Sequence, residues 1–376
     1  MELSPEDALR INVLLASPIE AVRIDESSMT VHALSKKGEA KVKLNPNCRD
    51  EAYLRTVRET LSSHVLGSPG GYPVYLKRWT RMGQARDEIL ESLLLLGEPE
   101  AVVAVVNAEG ITDDIARRAW WTMQTAENAR CMLRQKPVVK GGMGPILAEF
   151  LVEFLPFEEE ARDMIASVRL VLQENLVSAE TWQKLWERGK SRNAFYVGFL
   201  QARPDDLPEQ VAPHPEWQAT CERLAMLLEA DDPHARQLCR LLSAAGQTYL
   251  ETINGVLNKP SNQDVMVSLL HAISAYFSCV CPVTEPGNSI DDILAASESM
   301  LAAACDDVHT AGYRELLKHV PEQENRIRAM LAMAMIDEPV VNPIFSRTDA
   351  VGSVMRKKLK PVSEPLQELI QTLTDR

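Results

Sequence analysis

A chain of 376 residues is longer than one hydrophobic core usually serves, so two domains or an elongated array are expected. Its 45% apolar, 25% charged and only 5% aromatic side chains suit a helix-rich globular chain and argue against a β-sandwich or a disordered one. With 40 Lys plus Arg against 53 Asp plus Glu, the net charge of −13 makes long-range attraction to nucleic acid or anionic lipid not the default expectation and leaves room for a local basic face.

The chain opens Met1-Glu2-Leu3-Ser4-Pro5-Glu6-Asp7, acidic where a secretory or transit segment is basic, and an unexported, cytoplasmic protein is expected. Ser4 before Pro5, with Asp7 three positions after the serine, reads as a helix start, and a short helix is predicted to about Ala16. The period then changes to two. Val22 and Ile24 alternate with Arg23, Met29, Val31 and Ala33 with Thr30 and His32, and Ala40, Val42 and Leu44 with Lys41 and Lys43. With Ser35-Lys36-Lys37-Gly38 as a turn, residues 19–44 predict a small antiparallel β-meander.

From Asp50 onward the pattern is helical almost to the end. Glu98-Pro99, Thr112-Asp113-Asp114 and Thr125-Ala126-Glu127 are start signals at short intervals, predicting short helices joined by very short turns. Met164, Ile165, Val168, Val171 and Leu172 share one helical face, as do Leu224, Leu227 and Leu228, and Ile327, Met330, Leu331 and Met335. Antiparallel helix pairs stacked in this way predict a mainly α fold of the HEAT or armadillo type, an α-solenoid following the meander, although no strict sequence period accompanies it. Breaks are expected at Gly67 to Pro73, at Gly141-Gly142-Met143-Gly144-Pro145, through Pro204, Pro208, Pro213 and Pro215, and from Cys281-Pro282 to Pro286-Gly287. The organisation predicted is a helix plus meander over 1–55, a helical-repeat region over 56–203, a Pro-rich connector at 204–216 and a C-terminal helical region over 217–376. The most apolar stretch, Ile89 to Val106, is broken by Glu91, Glu98, Pro99 and Glu100 and falls short of the roughly 20 apolar residues of a membrane span, so no membrane insertion is expected.

Seven cysteines, an odd number spread over a long chain, read as reduced thiols rather than a disulfide framework. Cys279 and Cys281, one residue apart at the end of an apolar helix, can form a strained disulfide, carry a persulfide, or simply pack. Cys305 and His309, four apart, complete with them a four-ligand set for structural zinc, the one cofactor the sequence raises. Gly141-Gly142-Met143-Gly144 lacks the Lys-Ser/Thr of a phosphate loop and reads as a connector. The paired acids, among them Asp113-Asp114, read as helix caps, and Trp182 and Trp186 as core anchors. Trp120 and Trp121 beside Arg117 and Arg118 are candidates for a partner hot spot. Arg356, Lys357, Lys358 and Lys360 form the one dense basic run, either an RNA or polyanion contact or a solvated helix end. No nucleophile elbow, dinucleotide fingerprint or zinc-protease pair is present, and no small-molecule substrate is identifiable.

Asn107 to Leu133, with Arg117-Arg118-Ala119-Trp120-Trp121 followed by Thr125-Ala126-Glu127-Asn128-Ala129-Arg130, resembles the DsrS family, cytoplasmic proteins encoded with the reverse-acting dissimilatory sulfite reductase of sulfur-oxidising bacteria. The resemblance implies an accessory or regulatory setting in sulfur oxidation, with a partner in that machinery, and carries no catalytic residues across. The function expected is a non-enzymatic helical scaffold that binds protein. The alternatives are a sulfur relay on Cys279 and Cys281 and a regulatory RNA-binding protein.

Overall fold

The computed structural model describes residues 3–67, 87–281, 289–302, 311–348 and 350–375. The chain divides into two units, Met1–Pro156 and Phe157–Arg376. It is mainly helical, with one small antiparallel sheet near the N-terminus. The expected breaks at Gly67 to Pro73 and Cys281 to Gly287 fall largely outside the described residues.

In the first unit, α1 (Pro5–Leu15) begins as the sequence predicts: the Ser4 hydroxyl accepts the Asp7 amide at 3.3 Å, and Pro5 occupies a first-turn position where a missing N–H costs nothing. Strands β1 (Ile19–Asp25), β2 (Thr30–Ser35) and β3 (Gly38–Lys43) pair in chain order, Val22 opposite Ala33 and Val31 opposite Val42. Gly38, at φ +119°, supplies the backbone turn that a β-carbon would oppose. Alternation brings Val31, Ala33 and Val42 to the buried face, where Ile11 and Leu14 of α1 and Tyr53, Val57 and Leu61 of α2 (Asp50–Leu66) cover them. Asp7 ties these pieces together: its fully buried carboxylate accepts the Tyr53 hydroxyl at 2.5 Å and the Asn45 amide at 2.7 Å.

Helices α3 (Asp87–Leu93), α4 (Pro99–Val106), α5 (Asp113–Thr122), α6 (Ala126–Met132), α7 (Lys136–Val139) and α8 (Met143–Phe154) follow. The Thr112 and Thr125 hydroxyls cap α5 and α6, accepting the Ile115 and Asn128 amides at 3.3 and 3.2 Å. The meander does not stand apart from these helices: α5 packs on β1, and the Val22 N–H donates to the Leu94 carbonyl at 2.8 Å.

The second unit holds α9 (Ala161–Val171), α10 (Ala179–Arg188), α11 (Ala194–Ala202), α12 (Trp217–Arg223), α13 (Ala225–Glu229), α14 (Pro233–Leu242), α15 (Ala244–Asn258), α16 (Gln263–Phe277), α17 (Ile290–Ala302), α18 (Ala311–His319), α19 (Glu324–Ala334), α20 (Asn342–Phe345) and α21 (Gly352–Thr374). Helix α16 is its centre, packed against α9, α11, α15 and α19. By length and composition alone, Gln263–Val280 is apolar enough to cross a membrane, which makes it, rather than Ile89 to Val106, the chain's closest approach to a span among the described residues. Its Leu269, Leu270, Ile273 and Phe277 are buried against the neighbouring helices, as a core helix requires.

The stripes read from the sequence are buried from Met164 to Leu172 and from Ile327 to Met335; Leu224 is buried too, with Leu227 and Leu228 half-buried. Residues 203–216 form no helix, as their four prolines predict. The segment nevertheless lies inside the second unit, whereas the chain divides at Pro156/Phe157. Val211 N–H donates to Thr248 Oγ1 at 3.0 Å, and His214, itself buried, donates its N–H to the Leu242 carbonyl at 2.9 Å.

Candidate partner-binding groove

Helices α17, α19 and α21 pack on one another and leave a cavity of about 610 Å³ along their polar edges. The same 3.6-residue period that buries Met330 and Leu331 of α19 turns Asn325, Arg326 and Arg328 toward this cavity. Leu294, Ala329 and Leu369 add apolar surface to its lining, beside Glu298 of α17, Thr372 of α21, Glu216 and Glu322. Charge of both signs beside apolar surface suits a polar peptide segment better than an apolar ligand.

The inner end is held by a cation at a helix C-terminus. Arg326, its side chain 14% exposed, donates through Nη2 to the Asp375 carbonyl at 2.8 Å and through Nη1 to Glu216 Oε2 at 2.6 Å and Gln323 Oε1 at 2.7 Å. Gln247 Nε2 reaches the Leu373 carbonyl at 3.2 Å, so the last carbonyls of α21, which have no partner within the helix, are received by side chains of α15 and α19. The Glu216 N–H donates to His214 Nδ1 at 3.1 Å, and His214 Nε2 lies 2.7 Å from the same Asp375 carbonyl and 2.9 Å from Arg326 Nη2. A cation so placed favours the helix dipole by ~0.3–1 kcal/mol at an exposed end and up to ~2 kcal/mol where partly buried. Hydrogen bonding from Gln323, then Arg326, holds the Glu216 carboxyl below the usual carboxylate range, so it stays an anion. Arg328 donates to Asn325 Oδ1 at 2.5 Å and stands 3.7 Å from Glu298 Oε1, with Glu298 69% exposed.

The residues singled out from sequence lie elsewhere. Arg117 bonds Glu20 and Asp114, each at 2.9 Å, and Arg118 pairs with Asp114 and, at 3.5 Å, with Glu91. Trp120 is buried edge-on against Phe150, 4.8 Å between ring centroids. Trp121 is half-buried with the Arg23 guanidinium 4.7 Å over its ring. These four side chains therefore hold α5 to the meander and to its neighbouring helices. Trp186 is buried against Tyr196 and Phe199 and anchors its unit, with Trp182 beside Phe199.

Cys279 and Cys281 are both exposed, Cys279 in the 3-10 turn Ser278–Val280 that follows α16 and packs on α14. Its sulfur lies 3.7 Å from Gln237 Oε1, and burial of the thiol end pushes its pKa up, so it is a thiol rather than a thiolate near neutrality. Cys305 and His309 lie outside the described residues, and among the described residues no three His, Cys, Asp or Glu side chains are grouped to hold a metal. The basic run falls in the first half of α21, not at a helix end. Leu359 is buried, Lys358 donates to Thr348 Oγ1 at 2.7 Å, Lys360 pairs with Glu364 at 2.7 Å, Lys357 is exposed and Arg356 half-buried.

Gly142 and Met143, in the glycine-rich connector, donate their amides to Asp113 at 3.0 and 2.9 Å. An internal carboxylate thus occupies the helix N-terminus where a phosphate would bind. Fold and groove together define a class: a mainly helical, two-unit protein with a mixed-charge groove at the end of its C-terminal helix. Compared with known proteins, the chain matches no family, no curated protein and no solved structure. The groove residues escaped the sequence reading because Glu216 and Arg326 meet across 110 positions; the available signal was polar residues flanking the Ile327, Met330 and Leu331 stripe.

Proposed function

We propose that this chain is a non-enzymatic accessory protein that binds another protein through the groove between α17, α19 and α21. The observation that carries the reading is the groove itself: about 610 Å³, lined by apolar Leu294, Ala329 and Leu369, by Arg326 held on Glu216, and by the more exposed Arg328 and Glu298. Helix pairs stacked in HEAT or armadillo fashion would present such a groove as part of a longer surface. The DsrS-like segment at Asn107 to Leu133 supports a cytoplasmic sulfur-oxidation setting and a partner from that machinery.

The test uses the full chain and an Arg328→Glu/Glu298→Lys variant as baits in lysate from sulfur-grown cells. A reproducible partner retained by the parent and lost by the variant supports the groove. Capture of nothing reproducible, or equal capture by both, overturns the proposal. The two side chains are 37% and 69% exposed, so reversing them leaves the core alone.

A second reading, acceptance of sulfane sulfur by Cys279 and Cys281, is favoured by the exposure of both residues. Polysulfide treatment followed by mass measurement should then add sulfur at these two positions selectively, and an even distribution over all cysteines would remove it.

A further inference from the structure

Helix α21 buries Met355, Leu359, Val362 and Leu366, and the 3.6-residue period sets Val354, Lys357, Lys358 and Pro361 on the opposite, exposed face, continued by Val351 at the N-cap. That face is not simply a solvated polar one, because Val351 and Val354 are 67% and 54% exposed. The charge beside them is of one sign. Residues 347–360 hold Arg347, Arg356, Lys357, Lys358 and Lys360 against the single acid Asp349, in a chain of net charge −13. Lys360 is paired with Glu364, and Lys358 Nζ donates to Thr348 Oγ1 at 2.7 Å, which holds the segment carrying Arg347 beside the second turn of the helix. Among the described residues, Arg347, Arg356 and Lys357 have no acidic partner. The helix dipole adds to the same field: no side chain caps the first amides of this 23-residue helix, so its positive end faces the cations unneutralised.

We propose that this face is a docking surface for an acidic amphipathic segment of another protein, whose apolar side chains pack on Val351, Val354 and Pro361 while its carboxylates meet Arg347, Lys357 and Lys358. Charge complementarity selects the occupant. A second copy of this chain meeting through the same face would set cation against cation, and two bodies of net charge −13 repel at long range. Single-stranded RNA is read by stacking its bases on aromatic side chains, and the exposed face offers valine and proline instead. An anionic bilayer holds a helix through a broad apolar face, and two valines give too little area for that. An acidic segment with aliphatic residues at helical spacing uses both halves of the surface at once. Val354 lies about 27 Å along α21 from Thr372 of the groove, at roughly 1.5 Å per residue, so the two surfaces are separate and can succeed or fail independently.

The experiment titrates the full chain into four fluorescent probes and reads anisotropy: a peptide of three Leu-Glu-Glu-Leu-Ala-Glu-Glu repeats, a polyglutamate of equal charge, an oligouridylate, and phosphatidylglycerol vesicles. The expected result is tightest binding to the amphipathic peptide, weakening as salt is raised. Arg347→Glu/Lys357→Glu should weaken it by about tenfold and flatten the salt dependence, because two attractive contacts become repulsive. Val354→Ser should also weaken it but leave the salt dependence as it was, since the apolar contact carries no charge. All three positions are exposed, and circular dichroism of each variant checks that its helix content equals the parent's. Several outcomes overturn the proposal: no binding of the peptide, equal binding of peptide and polyglutamate, tighter binding of the oligouridylate or the vesicles, or peptide binding unchanged in the charge-reversed variant.

Discussion

His234 shows how one side chain makes stability depend on pH. Its ring, 14% exposed, stands edge-on to Tyr313 at 4.6 Å and fills the space beside Gly312, where an added β-carbon would lie 2.2 Å from Cε1. Nδ1 has no hydrogen-bond partner, and desolvation pushes the imidazole pKa below its ordinary value against the opposing pull of Asp232. Unfolded histidine titrates near ~6.5. Above that pH both states are neutral and the site's contribution is fully present; as pH falls, the unfolded chain takes the proton first and stability is lost down to the lower folded pKa. Each unit by which the folded pKa is depressed is worth about 1.4 kcal/mol of that loss. Urea unfolding at pH 7.5 and 5.5 should therefore show a smaller acid penalty in His234→Phe, which keeps the aromatic contact. An identical penalty in both proteins would assign the pH dependence elsewhere.

Helix starts were legible where the capping contact is local. Ser4, Thr112 and Thr125 each reach an amide three residues on, and each helix begins where its signal stands. What was not legible is capping between helices. Asp113 was read as part of its own helix start, yet its carboxylate crosses to the first amides of α8, about thirty residues along the chain. No local pattern marks that meeting. Helix α21 also runs through Pro361 and Pro365, where proline normally breaks a helix, because Met355, Leu359, Val362, Leu366 and Ile370 form a continuous buried stripe; Pro361 is exposed and Pro365 half-buried.

The Asp113 cap makes a prediction at this scale. Asp113→Ala removes two charge-assisted hydrogen bonds and should cost about 1–2 kcal/mol. Gly141→Ala should also destabilise, since its β-carbon would fall 2.1 Å from Asp113 Oδ1 and 2.2 Å from Cγ. The double variant should cost less than the sum, because the crowding atoms are gone once Asp113 is shortened. Chemical denaturation of the three variants checks it, and strict additivity would mean that Gly141 does not serve the Asp113 cap.

At the scale of the whole chain, the sequence announced a boundary at the proline-rich segment 204–216, and the chain divides instead at Pro156/Phe157. Proline reports loss of helix, not loss of contact: His214 and Val211 tie the extended segment to α14 and α15 by hydrogen bonds. Each unit has its own core, one gathered around α2 and the sheet, the other around α16. Leu61 and Leu270, both fully buried, sample them separately. Replacing either with alanine should cost about 2–5 kcal/mol, the lost transfer energy plus the cavity left behind. Because Leu61 and Leu270 belong to different units, the energies in the double variant should add to within about 0.5 kcal/mol. Urea titration of the four proteins makes the comparison. A coupling energy well above that margin would mean that the two cores respond as one cooperative structure and that the division at Pro156 has no energetic counterpart.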